Sequence, residues 1–121
     1  MKLSATPNSG QNLITSYAPG QIQLAQQILQ RSSVIMADQL IDWNVTSVED
    51  LSTGAFDTIA ALQPELVLLA TGDQQRFPIP ALMAYLPSRG IGLEVMTSAA
   101  ACRTYNVLVA EDRRVALAVI L

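Results

Sequence analysis

Three short apolar runs set the pattern of the second half of the chain. They are Glu65–Ala70 (Glu-Leu-Val-Leu-Leu-Ala), Ile91–Met96 and Val115–Leu121. Glu65–Ala70 is continuously apolar after its first residue, the mark of a strand covered on both faces, Val115–Leu121 reads as another buried strand, and Ile91–Met96 reads as a strand between them. Between them the pattern changes. Pro80–Leu86 reads as a short helix, with Pro78 and Pro80 suited to its start and Pro87 and Gly90 closing it. Thr97–Ala110 is rich in Ala, Leu and Arg, and Thr97 or Ser98 can cap its free N–H groups. Strands joined by helices imply parallel pairing through right-handed crossovers. Ahead of the first run, Phe56, Ile59, Ala60 and Leu62 fall at helical spacing within Thr53–Leu62, which Pro64 ends. Thr46-Ser47 before Val48-Glu49-Asp50 resembles a helix start, with Ser47 as cap.

The first third has another texture. Asn12–Tyr17 reads as a strand, and Pro19-Gly20 as a turn, since proline presets φ and glycine accepts φ > 0. Gln21–Ile28 resumes with Ile22 and Leu24 alternating with glutamines, as in a strand with one wet face, although Leu24–Leu29 also admits a helix. Ser33–Ala37 and Gln39–Trp43 flank Asp38 as a second hairpin. The expected fold is α/β: a mixed β-sheet with a βαβαβ C-terminal half flanked by helices, plus an N-terminal antiparallel β-meander layer. One domain is expected over 1–121, with 1–12 as a flexible N-terminal arm.

Composition narrows the function. Half of the 121 residues are hydrophobic and 14% are charged, enough for a real core and apolar enough to leave surface patches, which usually mark partner or ligand sites. A net charge of −3 with seven scattered Lys and Arg excludes the basic face of a nucleic-acid binder. The N-terminal stretch lacks the apolar core of a signal peptide, and no run approaches the roughly 20 residues of a membrane span. Together with a lone cysteine these features point to a cytoplasmic, bacterial protein with no membrane insertion. The chain has no histidine, so Ser–His and Cys–His dyads, a histidine base and imidazole metal ligands are all excluded. No metal and no cofactor is expected.

In open α/β sheets ligands bind beyond the carboxyl ends of the parallel strands. Two segments leave such ends here: Thr71-Gly72-Asp73-Gln74-Gln75-Arg76-Phe77-Pro78 and Met96-Thr97-Ser98. Gly72 permits a sharp exit, Asp73 and Arg76 offer opposite charges, and Thr97 and Ser98 open a helix whose N-terminus attracts anions. A small anionic ligand held by Arg76 and the Thr97/Ser98 amides is one reading. A loop whose polar groups cap the helix and pair with each other is the commoner arrangement.

Other motifs weigh less. Gly90-Ile91-Gly92 precedes a strand and lacks a third glycine, so it is no dinucleotide fingerprint. Cys102, beside Arg103 near a helix start, has the setting of a reactive thiol, but it follows Ala99-Ala100-Ala101 and suits close packing better. The paired carboxylates Asp38/Asp42 and Glu49/Asp50 and the run Glu111-Asp112-Arg113-Arg114 read as solvated surface. Trp43 reads as a core or edge anchor.

Several stretches occur in an order that carries a family resemblance: Glu65–Gly72, Gln75-Arg76-Phe77-Pro78, Gly92–Thr97 and Ala101-Cys102-Arg103-Thr104-Tyr105-Asn106-Val107-Leu108. Over about residues 13–121 the chain resembles the bacterial branch of the domain-of-unknown-function family that includes the mitochondrial complex I (NADH:ubiquinone oxidoreductase) assembly factor. The resemblance implies a mixed sheet with packed helices and an antiparallel layer beside it. It also implies non-enzymatic, assembly or chaperone-like work with partner proteins for the eukaryotic members. Gly72, Arg76, Phe77, Pro78, Gly92, Met96, Thr97, Thr104, Tyr105 and Asn106 match the family's motif. Phe77, Pro78, Tyr105 and Asn106 are the partner or structural candidates. Cys102 departs from it, which weakens thiol chemistry further.

The leading expectation is therefore a non-catalytic interaction domain with a protein partner or a homo-oligomeric state, possessing an assembly role for a respiratory or other membrane complex. The alternative is a small-molecule binder or feeble enzyme using Gly72, Asp73, Arg76, Thr97 and Ser98.

Overall fold

The computed structural model describes residues 10–121. The chain opens with β1 (Ile14–Ala18), β2 (Gln21–Leu24) and β3 (Ile28–Leu29), which form an antiparallel three-stranded sheet in that order. Next come β4 (Ser33–Met36), β5 (Gln39–Asp42), a 3-10 turn at Val48–Asp50 and helix α1 (Thr53–Ala60). The remainder is β6 (Leu66–Ala70), α2 (Pro80–Met83), a 3-10 turn at Pro87–Arg89, β7 (Gly92–Met96), α3 (Ser98–Ala110) and β8 (Val115–Val119). The second sheet has the order β5-β4-β8-β6-β7, with β6 parallel to both β7 and β8 and β4 antiparallel to β8.

The mixed α/β architecture is the expected one, and the alternation of strand and helix in the second half follows the apolar runs. β8 is buried at all five positions and β6 at four of five, as continuous apolar sequence requires of central strands. The sheet separates two cores. One, roofed by α1 and α2, contains Val34, Trp43, Phe56, Ile59, Val67, Leu69, Leu82 and Leu86. The other lies between the large sheet, α3 and the three-stranded sheet, and contains Ile14, Ile22, Leu24, Ile35, Leu68, Cys102, Tyr105 and Leu117.

Three local expectations are corrected. Gln21–Ile28 is not one strand: Leu24 N–H donates to Gln27 C=O at 2.8 Å, closing a tight turn, and β3 pairs back on β2. The turn residues Ala25 and Gln26 include no Gly, Asn or Pro, so the sequence carried no turn signal there. The second hairpin leaves the meander layer and joins the large sheet, because β4 also pairs with β8. Its fully buried Ser33–Met36 fits a central strand better than a half-wet layer. Ser47 makes no side-chain cap; Asp50 instead accepts hydrogen bonds from Thr46, and the helix restarts at Ser52, whose hydroxyl accepts from Ala55 N–H at 3.3 Å. Of the loose arm expected over 1–12, residues 1–9 lie outside the described residues. Asn12 itself is tied down: its amide nitrogen donates to the carbonyls of Met36 and Gln39, and its N–H to Ala37.

Candidate functional site

The parallel pairing of β6 with β7 aligns Ala70 with Met96, so the chain leaves both strands at the same end of the sheet. Thr71 N–H donates to Met96 C=O at 3.0 Å, prolonging the ladder by one rung. Gly72 then turns with φ +92, a conformation that L side chains rarely adopt. Its carbonyl accepts from Ser98 N–H at 2.8 Å, and its N–H donates to Ser98 Oγ at 2.8 Å. The two segments singled out in the sequence therefore meet, through a reciprocal pair of hydrogen bonds between Gly72 and Ser98.

That pairing decides what the rim offers. Ser98 is fully buried, with its hydroxyl already accepting from Gly72, and Thr97 Oγ1 accepts from Ala100 N–H at 3.4 Å as the α3 cap. Thr71 Oγ1 donates to Gln74 C=O at 2.6 Å and accepts from Arg76 N–H at 3.2 Å, so one hydroxyl folds the loop onto itself. Gln75 reaches across to β7, its Nε2 donating to Val95 C=O at 2.8 Å. Arg76 turns away from α3: its guanidinium pairs with Glu49 of the 3-10 turn at 2.7 Å. Asp73 is exposed. The loop's polar groups are largely committed to holding the loop.

Beyond Arg76 the surface turns apolar. Phe77 is 60% exposed and Ile79 65%, flanking a buried Pro78. Ile79 stands at the N-cap of α2, whose first residue is Pro80. Two large hydrophobic side chains held in solvent by a proline-rigidified segment form an apolar knuckle on the rim.

Tyr105 and Asn106 do not reach this rim. Tyr105 is fully buried and its hydroxyl donates to Asn12 C=O at 2.6 Å; burial pushes its phenol pKa up. Asn106 holds both backbone groups of Ile14. Both side chains dock the first strand on α3, a structural role. Cys102 is buried on the same helix, beside a groove of about 330 Å³ between α3 and β1, and desolvation raises its thiol pKa to about 11 against the opposing pull of Arg103. A thiol so placed is not a nucleophile at neutral pH.

Four contributors, Thr71, Gln75, Ile79 and Glu49, were not among the sequence candidates. Thr71 had a local signal, a hydroxyl residue before a glycine at a strand end, which favours a turn bonded through the side chain. Glu49 had none, because it is separated from Arg76 by a whole helix and strand and meets it only in the folded chain.

Fold and site together define a small mixed α/β domain whose strand-end rim is closed by its own hydrogen bonds and edged by exposed apolar residues. The chain belongs to the protein family of unknown function DUF498/DUF598, which matches residues 14–120. Xanthomonas campestris XCC1710, solved by NMR, superposes with a TM-score of 0.84 at 43% identity over 99% of this chain and 92% of that one. The 13 kDa major membrane protein of Francisella tularensis is 29% identical over 89 residues, 72% of either chain. NADH dehydrogenase [ubiquinone] 1 alpha subcomplex assembly factor 3 of Xenopus tropicalis is 31% identical over 88 residues, 71% of this chain but 48% of that protein. The chain thus spans about half the length of the assembly factor. No helix among the described residues is long and apolar enough to cross a membrane.

Proposed function

We propose that this chain is a cytoplasmic, non-catalytic interaction domain, folded as one unit, that aids assembly of a respiratory or other membrane complex by docking on a protein partner. The observation that carries the reading is the division of labour on the rim. Thr71, Gly72, Thr97 and Ser98 spend their hydrogen bonds on one another and on neighbouring backbone, while Phe77 and Ile79 stand 60% and 65% exposed. Exposed apolar side chains flanked by polar groups are the usual make-up of a partner surface. The assembly-factor name of the Xenopus relative supports the same direction. Affinity purification from a native lysate, followed by reconstitution with the purified partner, tests it. The expected result is one stoichiometric protein partner that the doubly substituted Phe77→Ser/Ile79→Ser chain fails to hold while keeping its circular dichroism. A chain that stays monomeric and retains nothing, or a partner indifferent to both substitutions, would overturn this docking role.

A second reading is a small anionic ligand at Gly72, Asp73, Arg76, Thr97 and Ser98. It is favoured by the meeting of the arginine loop with the amino end of the 13-residue helix α3 at Gly72 and Ser98. It requires Arg76 to leave Glu49. Thermal-shift screening with phosphates, carboxylates and nucleotides tests it, and hits unaltered by Arg76→Ala would remove it.

A further inference from the structure

Strand β7 ends the five-stranded sheet, and its outer side carries open backbone groups. Gly92 N–H donates to Glu65 C=O, and Met96 C=O accepts from Thr71 N–H. In a parallel ladder alternate residues of a strand bond to a given neighbour. Gly92, Glu94 and Met96 therefore face β6, and Leu93 and Val95 direct their N–H and C=O groups outward. Of these four groups, Val95 C=O is occupied by Gln75 Nε2. Leu93 N–H, Leu93 C=O and Val95 N–H have no hydrogen-bond partner among the described residues.

We propose that this edge is a strand-addition site for an extended segment of another protein in which apolar residues alternate with lysine or arginine. The inference rests on the protein-interaction reading above and names its surface and its partner's chemistry. A guest strand beside β7 gains hydrogen bonds at Leu93 and Val95, and its side chains alternate between the two faces of the sheet. One set continues the surface of Leu93 and Val95, which pack with the core beneath α1 and α2. Phe77 and Ile79, both exposed, follow Gln75, the residue anchored on that edge. The other set falls beside Glu94, which is exposed on the opposite face.

Charge selects the occupant. Asp38, Asp42, Glu49 and Glu65 each have an arginine partner, whereas Glu94, the one carboxylate on β7, has none among the described residues. A carboxylate on an open strand favours an opposite charge directly across from it. The same carboxylate disfavours a second copy of this chain. Antiparallel pairing of Leu93 with Val95 of a copy would set Glu94 against its own equivalent.

The test is an NMR titration of the isotope-labelled full chain with a short synthetic peptide alternating valine and lysine. A valine–glutamate peptide and a valine–lysine peptide with its lysines grouped at one end are the controls. The alternating valine–lysine peptide should shift the Leu93 and Val95 amide signals and slow their exchange. Glu94→Lys, an exposed change that leaves the circular dichroism intact, should weaken it about fivefold or more and make the valine–glutamate peptide the better ligand. Perturbations confined to other strands, equal affinity for parent and Glu94→Lys, no preference over the grouped control, or self-association that excludes the peptide would each overturn the proposal. A purified native partner that protects other amides and leaves β7 unchanged would also overturn it while leaving the interaction reading standing. Failure to find any native partner, with the peptide still docking on β7, would strike the interaction reading instead.

Discussion

The Asn106 side chain holds both backbone groups of Ile14: Nδ2 donates to its carbonyl at 2.8 Å and Oδ1 accepts from its N–H at 2.9 Å. An asparagine on α3 thus supplies to β1 what a neighbouring strand would, and Tyr105 adds a third bond at Asn12. Replacing Asn106 by leucine keeps the heavy-atom count and branching and leaves both Ile14 groups without a partner in a part-buried setting. The expected cost is roughly 2–4 kcal/mol, since each orphaned group forfeits about 1–3 kcal/mol and the part-buried setting keeps both below the upper end. Urea unfolding measures it, and amide exchange should quicken over Ile14–Leu24 before the large sheet responds. An Asn106→Leu chain as stable as the parent would mean that α3 does not anchor the first sheet.

Ser98→Ala isolates the joint between the two loop segments. It removes the acceptor of Gly72 N–H and leaves the backbone bond from Ser98 N–H to Gly72 C=O in place. With Ser98 fully buried, the loss should be about 1–3 kcal/mol. Gly72→Ala acts on the same joint through strain at φ +92, with open space where its Cβ would stand, and should cost about 1 kcal/mol. Thermal denaturation of both single variants and the double variant should show less than additive losses, because each loosens the same contact.

How much of this was legible follows from where each interaction is encoded. The strands β6 and β8 were visible because burial on both faces demands uninterrupted apolar sequence, β7 because a short apolar stretch follows the Pro87 and Gly90 helix stop, and Thr97 announced α3 by its capping position. The proximity of Gly72 to Ser98 was legible too, since parallel neighbours must leave the sheet at one end. What the rim does with its polar groups was not. The pairing of Arg76 with Glu49 depends on where a 3-10 turn after β5 settles, and residue order across a helix and a strand does not specify that. The split at Ala25-Gln26 escaped for the opposite reason: pairing of Ile22 with Leu29 overrides local preference at a turn made of residues with no turn habit. Asn106 and Tyr105 matched a family motif, yet their geometry assigns them to docking β1 and not to the rim.

The Arg76–Glu49 pair offers a direct measure of how free the arginine is. Both side chains are more than half exposed, at 53% and 64%, so solvent screens the 2.7 Å contact. A double-mutant cycle with Arg76→Gln and Glu49→Gln should return a coupling of about 0.2–1 kcal/mol that shrinks in high salt. A coupling well above that range would lock Arg76 in place and exclude it from any anion site.

Cys102 gives the sharpest dependence on pH. Desolvation, partly offset by Arg103, lifts its thiol from the ordinary value of 9.0 to about 11. Between those values the unfolded chain sheds the proton while the folded chain keeps it, so the folded state binds more protons and stability falls as pH rises. Cys102→Ala removes this titration. The stability of the parent relative to Cys102→Ala should therefore be constant below about pH 8 and decline by up to ~2 kcal/mol on approaching pH 11, since each pKa unit is worth about 1.4 kcal/mol. Paired urea unfolding curves across that range measure the difference and cancel the tyrosines and lysines common to both chains. At pH 7.5, by the same physical cause, a chromogenic disulfide reagent should leave the folded thiol untouched and react only after denaturant is added. Rapid labelling of the folded protein at neutral pH, or a difference between the two chains that does not change with pH, would contradict the buried, protonated state.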